Sequence, residues 1–235
     1  GHDEPDSTSA ADADTSESPK STDWFVNEPH GPADTLRFET DEATWMSVDV
    51  NPDGKTLVFD ILGDLYTLPI AGGRAVRLTD GPAWDFGPCW APDGRHITFT
   101  SDRGGTDNVW IMNADATEMR PLTTSKDNVM NLGACSPDGE YVVAKKRLTD
   151  GSSIGTTELW LVNTRGGSGI QITKKDDIPE VSEPVFSPDG RYIYFSARPN
   201  RYAYNRNVFA GIYQIRRYDR ETGDVTTITD GYGGS

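Results

Sequence analysis

The chain has 235 residues, of which 35 % are hydrophobic, and 37 acidic against 22 basic residues give it a formal net charge of -15. No apolar run approaches the roughly 18 residues of a membrane-spanning helix, so a transmembrane protein is excluded. An acidic surface repels phosphate backbones, and nucleic acid is therefore not expected as a partner.

The first element in chain order is an acidic tail, residues 1–32. Residues 1–30 contain eight acidic residues and one basic residue, with almost nothing apolar before Trp24. Such a segment cannot bury enough surface to offset the entropy of ordering, so we expect it to be disordered. It has neither the basic start nor the apolar stretch of a signal peptide, so any such peptide has already been removed. Its role is either that of a solvated tether or that of an acidic docking arm.

From residue 33 to residue 235 the dominant feature is an internal repeat built on a Pro-Asp-Gly turn. Four copies occur, and their prolines lie 40, 45 and 51 residues apart. Proline sets φ at the second turn position, aspartate tolerates the third, and glycine supplies the permissive fourth. These turn residues are Asp53 and Gly54, Asp93 and Gly94, Asp138 and Gly139, and Asp189 and Gly190. Copies at this spacing indicate stacked supersecondary units.

Each turn lies within the same four-strand pattern. A short strand precedes the turn, and the strand after it has apolar side chains at every second position, which predicts one buried face. Two further apolar stretches complete the unit, with no helical periodicity. Such units are typical of β-propeller blades. The predicted fold is all-β, a β-propeller with four antiparallel four-stranded blades at residues 44–80, 84–124, 129–174 and 181–230.

Residues 35–43 precede the first blade and look like the outermost strand of another blade. This segment is followed by Trp45, as residues 75–80 are followed by Trp84. A propeller ring closes when one end of the chain completes a blade begun by the other. The three partner strands do not follow residue 230, so we expect the four blades to be a truncated part of a ring of at least five. The alternative is a closed four-bladed ring with an ordinary edge strand at residues 35–40.

Aromatic side chains recur at matching positions of the second and third strands. We expect them to form the layers between adjacent blades, where flat, large side chains bury the most apolar surface. The predicted layer residues are Phe59, Phe99, Phe195, Trp110, Trp160 and Tyr213.

Several of these segments resemble the repeat of TolB-type β-propellers. The resemblance is carried at two of the turns by residues 136–139 and 187–190, and in the first two blades by residues 77–81, 100–105 and 110–115. It covers roughly residues 33–235. It implies a propeller fold and an extracytoplasmic location, periplasmic or secreted, which agrees with the tail.

The first blade, residues 44–54 and 63–73, resembles a more specific group of bacterial proteins. In these proteins a TolB-like propeller precedes a metal-dependent amidohydrolase domain. The resemblance implies that this chain is a non-catalytic segment that scaffolds or gates such a domain lying downstream. That domain would hydrolyse C–N bonds of small amide, cyclic amide or peptide-like substrates with a divalent metal, expected to be zinc.

Two alternatives from other classes stay open. One is a stand-alone TolB-like module of the cell envelope that binds protein partners. The other is a propeller that gates a serine peptidase, as in the prolyl oligopeptidase and tricorn groups. The sequence downstream of Ser235 separates the three: a His-x-His-bearing barrel, an early stop, or a serine nucleophile elbow.

This chain itself is expected to carry no catalytic residue, no metal and no cofactor. Of its three histidines only His96 lies in a blade, on the polar phase of its strand, where we interpret it as solvated. The Gly-x-Ser-x-Gly pattern at residues 151–155 lies between antiparallel strands, away from any histidine base, and is interpreted as a hairpin loop.

The two cysteines occupy different phases of the strands that precede their turns. Cys89 is three residues before its turn proline, whereas Cys135 is two residues before its own. On neighbouring innermost strands we expect this offset to direct the two side chains to opposite faces of their sheets. A disulfide between them is therefore not predicted.

The loops between the second and third strands lengthen along the chain, and long loops on a rigid scaffold often carry function. They contain 5, 9, 14 and 16 residues, at 60–64, 100–108, 145–158 and 196–211. The last mixes arginine with tyrosine, which suits contact with a protein partner or an anionic group. The alternative is a loop that packs only on its neighbours. Candidate binding residues are Arg103, Arg147, Arg198, Arg201, Tyr202, Tyr204 and Arg206.

The expected partner at this loop face is the chain's own C-terminal catalytic domain or another protein. A second kind of contact is also expected. Exposed strand edges at both ends of the stack predict self-association of the isolated chain.

Overall fold

A computed structural model describes residues 38–148, 156–198 and 213–229, together with Val26, Gly31, Pro32, Asp34 and Leu36. The predicted acidic tail therefore lies almost wholly outside the described residues. Within them the chain forms sixteen β-strands, and no helix long and apolar enough to cross a membrane is present.

The strands form four antiparallel sheets, each with its strands in chain order from the innermost to the outermost. Blade 1 contains β1 (Val48–Val50), β2 (Thr56–Ile61), β3 (Asp64–Pro69) and β4 (Val76–Arg77). Blade 2 contains β5 (Asp85–Trp90), β6 (His96–Ser101), β7 (Asn108–Asn113) and β8 (Arg120–Pro121). Blade 3 contains β9 (Asn128–Cys135), β10 (Tyr141–Leu148), β11 (Thr156–Asn163) and β12 (Ile170–Gln171). Blade 4 contains β13 (Glu180–Phe186), β14 (Tyr192–Arg198), β15 (Gln214–Asp219) and β16 (Val225–Thr227).

The four Pro-Asp-Gly turns that join the first and second strands share one geometry. In each, the aspartate carboxylate accepts a hydrogen bond of 2.8–3.0 Å from the backbone N–H two residues later. The following glycine has φ between 63 and 73°. A side chain at that φ would be strained, which explains why glycine occupies the position in every copy.

Three apolar clusters fill the spaces between consecutive blades. In the first cluster, Val58 and Leu65 of blade 1 pack against Ile97, Phe99 and Met112 of blade 2. The second joins blades 2 and 3, and the third joins blades 3 and 4. Sheets that pack face to face in chain order are the architecture of a propeller, so the predicted all-β fold of four antiparallel blades is confirmed.

The prediction that the second strand of each blade has a single buried face is confirmed for β14, in which Ile193, Phe195 and Ala197 are buried and the residues between them are not, but it was wrong for β6. In β6, Phe99 faces blade 1, whereas Thr98 and Thr100 on the other face are equally inaccessible to solvent. These threonines meet Asn131 of blade 3, whose N–H donates to Thr100 Oγ1 at 2.9 Å. An inner blade has a neighbouring blade on each side, so both of its faces are buried. Because the second buried face carries polar residues that form hydrogen bonds across the gap, a search for apolar residues does not detect it.

The predicted aromatic layers are present in part. Phe99 and Phe195 are buried in the clusters between blades, and Trp110 and Trp160 pack at the margins of two of them. Phe59 instead faces away from blade 2 and stacks on Tyr66 at 5.8 Å between ring centroids.

Carboxylates of blade 1 hold the innermost strand of blade 2. Asp60 Oδ2 accepts the Gly87 N–H at 2.7 Å, and its Oδ1 accepts the Ser47 N–H at 2.9 Å. Asp49 Oδ2 accepts the Trp90 N–H at 2.7 Å. An innermost strand pairs on one side only, so these acids satisfy backbone donors that no further strand reaches.

The segment 35–43, predicted as a closing strand, is not a strand where the structure describes it. Its described residues, 36 and 38–43, belong to none of the four sheets. An outermost strand pairs with the third strand of its own blade, and in blades 1–4 that position is already occupied by β4, β8, β12 and β16. The alternative, in which residues 35–40 close the sheet of blade 4, is also not observed for the described part of this segment.

Candidate functional site

We call the end of each blade at which the second strand connects to the third the long-loop end. At this end of blade 2, Arg103 is part of an internal contact. Its Nη2 donates to both carboxylate oxygens of Asp85, at 2.8 and 2.6 Å. Its Nε donates to Ser101 Oγ at 2.8 Å, and the guanidinium carbon lies 5.3 Å from the Trp110 ring centroid. Asp85 is buried, at 1 % exposed, and the Arg103 side chain is 17 % exposed, so the pair is largely shielded from solvent.

Blade 4 repeats this arrangement. Arg198, which ends β14, donates through Nη2 to Glu180, the first residue of β13. Its guanidinium carbon lies 6.0 Å from the Tyr213 ring centroid. The arginine side chain is only 9 % exposed.

Blade 3 has a variant of the same set. Lys146 Nζ lies 2.9 Å from Asp127 Oδ2 and 5.7 Å from the Trp160 ring centroid. In all three blades a base beside the second strand meets an acid beside the first strand and an aromatic ring beside the third. We call these three-residue sets the blade clamps: Asp85–Arg103–Trp110, Asp127–Lys146–Trp160 and Glu180–Arg198–Tyr213.

Two of the predicted binding residues, Arg103 and Arg198, belong to blade clamps, and these contacts were not predicted from the sequence. Arg103 and Arg198 hold together the strands of their own blades. The signal was an acid 18 residues before each arginine, a spacing shared by blades 2 and 4. The arginines were interpreted as ligand-binding residues because of their charge. Their acidic partners lie too far away along the chain to form a local sequence pattern with them.

The remaining predicted binding residues divide into one exposed side chain and a set outside the described residues. Arg147 lies exposed on β10. Its neighbour Lys145 is half-buried, and burial lowers the pKa of its ammonium, with repulsion from Arg147 adding to the effect and Glu180 and Glu183 opposing it. The residues outside are Arg201, Tyr202, Tyr204 and Arg206, together with the pattern at 151–155.

In blades 1 and 2 the loops at this end are shorter than predicted because the strands extend further, and they span residues 62–63 and 102–107. Most of the predicted loops at 145–158 and 196–211 lies outside the described residues, and residues 145–148, 156–158 and 196–198 belong to strands.

The opposite end, at the Pro-Asp-Gly turns, carries a cavity of ≈ 400 Å³ between blades 2 and 3. Asp93, His96, Arg120, Asp138 and Arg165 line it, so both signs of charge are present. His96 Nδ1 lies 2.6 Å from Asp93 Oδ2, and its side chain is 42 % exposed. In the described part of the chain, no group of three or more His, Cys, Asp or Glu side chains is arranged to hold a metal.

Two turn carboxylates at this end have a lowered pKa. Partial burial raises the pKa of Asp93, but hydrogen bonds from the Arg95 N–H and from His96 outweigh it and leave the pKa lowered. For Asp138 the main cause is the Ser136 hydroxyl, which donates to the carboxylate, followed by the Glu140 N–H. Both carboxylates are therefore ionised structural acceptors at neutral pH.

A second cavity, of ≈ 320 Å³, lies where the innermost strands of blades 1–3 converge. Asp49, Gly87, Cys89, Asn131 and Gly133 contribute to its wall. The two glycines have φ of 62 and 69° and belong to irregular pairings within β5 and β9. They let two innermost strands approach each other closely.

The expectation that the two cysteines face apart was wrong. Cys89 Sγ lies 3.8 Å from Cys135 Sγ, and both are free thiols. Cys89 pairs with Thr98, whose side chain faces blade 3, whereas Cys135 pairs with Val142, whose side chain faces blade 2. Opposite faces of two stacked sheets point towards each other across the gap, so the offset in phase brings the thiols together.

Comparison with known proteins finds a family model that matches part of the chain. Residues 42–154 match the TolB beta propeller domain family. The uncharacterized peptidase YuxL of Bacillus subtilis is 29 % identical over 157 residues, covering 53 % of this chain and 23 % of that protein. The Tol-Pal system protein TolB of Francisella tularensis is 26 % identical over 188 residues, covering 76 % of this chain and 39 % of that protein.

Solved structures share the same fold. A TolB-type protein from Agrobacterium tumefaciens superposes with a TM-score of 0.63 at 22 % identity, covering 80 % of this chain and 62 % of that chain. This chain thus spans 23 % and 39 % of the length of the two relatives named above.

Proposed function

Because this chain is a TolB-like β-propeller, we propose that it is a non-catalytic segment that binds protein through its long-loop end. The blade clamps carry this proposal. They fix the long-loop end of three consecutive blades with buried or partly buried ion pairs, so that the strand ends at Leu148 and Arg198, from which the chain continues beyond the described residues, belong to a rigid frame. A rigid scaffold with long connections is the usual arrangement of a recognition surface.

The proposed contact uses the basic and aromatic side chains beyond the clamps. Arg147 is exposed at this end, and the sequence after Arg198, which lies outside the described residues, contains Arg201, Tyr202, Tyr204 and Arg206. Arginine and tyrosine are enriched in protein interfaces because they combine apolar area with directional hydrogen bonds. On a chain with a net charge of -15 these residues favour an acidic partner surface.

A charge-reversal experiment in the full-length protein tests this contact. Arg147, Arg201 and Arg206 are replaced together by Glu, and a matched control carries Arg165→Glu, an exposed arginine (81 %) near the turn end. We expect the triple variant to lose association with the partner domain or protein by at least about tenfold and the control to keep it. Wild-type association in both variants would refute a binding role for the long-loop end.

We consider three arrangements for this segment, and each implies a different class of partner. The resemblance of the first blade favours a metal-dependent amidohydrolase with a divalent metal, expected to be zinc, in its own domain. Similarity to a peptidase over 157 residues favours a propeller that gates a serine peptidase. The third candidate is a stand-alone TolB-like module that binds other proteins of the cell envelope, and its extracytoplasmic location is part of the same proposal.

We also propose that the four blades form part of a larger ring. The outward face of blade 1 exposes Val48 and Val50 at 61 and 44 %, and that of blade 4 exposes Val185 and Ile215 at 57 and 47 %. The equivalent strand faces at the three interfaces between consecutive blades are covered by the three apolar clusters. Apolar strand faces of this kind are normally covered, and an additional blade on each side covers them with the packing already used between blades.

A further inference from the structure

The innermost strands of blades 2 and 3 bring two thiols into contact beside the central cavity. Cys89 Sγ lies 3.8 Å from Cys135 Sγ and 3.1 Å from the Gly133 carbonyl oxygen. Cys89 is 6 % exposed, and Cys135 is half-buried. The two cysteines come from different blades and are separated by 46 residues along the chain.

We propose that Cys89 and Cys135 form a disulfide that links blade 2 to blade 3. The proposal concerns a covalent modification site and does not depend on the binding role of the long-loop end. Its oxidant is a small-molecule or protein disulfide, for which oxidised glutathione serves as the probe.

The backbone around the pair is suited to this bond. A disulfide places the sulfurs about 2.0 Å apart, so the thiols must approach by rotation about their Cα–Cβ bonds and a small strand shift. A Cβ at Gly133 would lie only 3.9 Å from Cys89 Cβ, so β9 passes close to Cys89 at a glycine. Irregular pairing near Gly87 and Gly133 gives both strands local freedom to adjust.

The order of reaction follows from exposure and acidity. The hydrogen bond to Cys89 lowers the pKa of Cys135. The same contact and burial raise the pKa of Cys89. Cys135 is thus the more accessible and more acidic thiol, which makes it the first nucleophile.

The exchange proceeds in two balanced steps. The Cys135 thiolate attacks one sulfur of oxidised glutathione, the S–S bond of the oxidant breaks, and one glutathione thiolate leaves. Cys89 then gives its proton to solvent and attacks Cys135 Sγ, which breaks the mixed disulfide and releases the second glutathione. Two protein thiols are oxidised, and one glutathione disulfide is reduced to two glutathione molecules.

The test is oxidation of the folded chain with glutathione disulfide, followed by thiol titration in denaturant and by peptide mapping without reductant. We expect titratable thiols to fall from two to none, a protein mass lower by two hydrogen atoms, and one linked peptide pair that contains Cys89 and Cys135. We expect the oxidised chain to melt about 5–10 °C higher than the reduced chain, since the bond closes a long loop of the unfolded chain.

Serine variants separate this mechanism from unspecific oxidation. Cys89→Ser is expected to accumulate a glutathione adduct on Cys135, whereas Cys135→Ser should react at least about tenfold more slowly because its remaining thiol is buried. The double variant Cys89→Ser/Cys135→Ser should melt at the same temperature with and without reductant.

Several results would overturn the proposal. Two free thiols after prolonged oxidation, glutathione retained on both cysteines, or linkage only between separate molecules would each show that the pair does not close within one chain. None of these results bears on the charge-reversal experiment at the long-loop end, so the two proposals fail independently.

Discussion

Replacing Phe99 by alanine tests whether the spaces between blades are the stabilising core of this protein. Phe99 is completely buried in β6, where Val58 and Leu65 of blade 1 close over it and Ile97 and Met112 flank it. These neighbours lie on strands fixed at both ends by turns. The side chains are therefore unable to collapse far into a cavity left by the missing ring.

The expected loss of stability is about 4 kcal/mol. Burial of a phenylalanine side chain contributes about 3 kcal/mol of transfer free energy, and the unfilled cavity brings the cost of Phe→Ala to about 3–5 kcal/mol. Arg103 also loses a ring 5.8 Å from its guanidinium, an interaction of about 0.5 kcal/mol. For a chain of this size the sum corresponds to a fall in Tm of about 10 °C.

Urea unfolding followed by tryptophan fluorescence measures this loss. The matched control is Phe38→Ala, since Phe38 is 60 % exposed and its removal is expected to change the free energy of unfolding by less than about 0.5 kcal/mol. Phe99→Leu is expected to fall between the two. If Phe99→Ala destabilises the chain no more than Phe38→Ala does, the packing between blades 1 and 2 described above is wrong.

Three further predictions concern the clamps, the turns and the open faces. Asp85→Ala removes the buried carboxylate that accepts the hydrogen bonds of Arg103 and should lower the free energy of unfolding by about 3 kcal/mol, measured by urea titration; equal stability would mean that the clamp is not a stabilising contact. The lowered pKa of Asp138 contributes stability above the pKa of an unfolded aspartate, about 3.9, that is lost as pH falls through the folded value. Ser136→Ala should therefore flatten the dependence of Tm on pH between about 5 and 3, and an unchanged slope would assign the acid sensitivity to other groups. Val50→Glu on the open face of blade 1 should reduce self-association of the isolated chain in light scattering, and unchanged association would place the contact elsewhere.

The turn chemistry explains why the blades were predictable. Pro-Asp-Gly is a local code: proline sets one backbone angle, the aspartate of Asp53 or Asp93 bonds two residues ahead, and glycine takes a positive φ. All of these interactions lie within four residues. A period of such turns implies four strands per unit without any knowledge of the tertiary structure.

The sequence analysis did not predict contacts that join residues distant along the chain. Arg103 was interpreted as a binding residue because Asp85, its partner, belongs to the opposite strand of the same blade. The strand predicted at 35–43 is not present in its described part, because a strand needs a free partner and no blade of the described chain offers one. In both cases the contact joins residues that no local pattern relates.

The cysteines show the same limit in one pair of atoms. Their positions relative to the turn prolines correctly assigned them to different phases of their strands. Whether different phases separate two side chains or bring them together depends on whether the strands share a sheet or face each other across a gap.

The amino-acid sequence alone determined the repeat, the antiparallel blades and the acidic character of this protein, since these depend on local backbone preferences and on composition. Only the tertiary structure decided which bases are fixed in clamps, that the middle blades are buried on both faces, and that two thiols touch. Those properties arise from the stacking of one sheet on the next, which sets distances between residues that no local pattern relates.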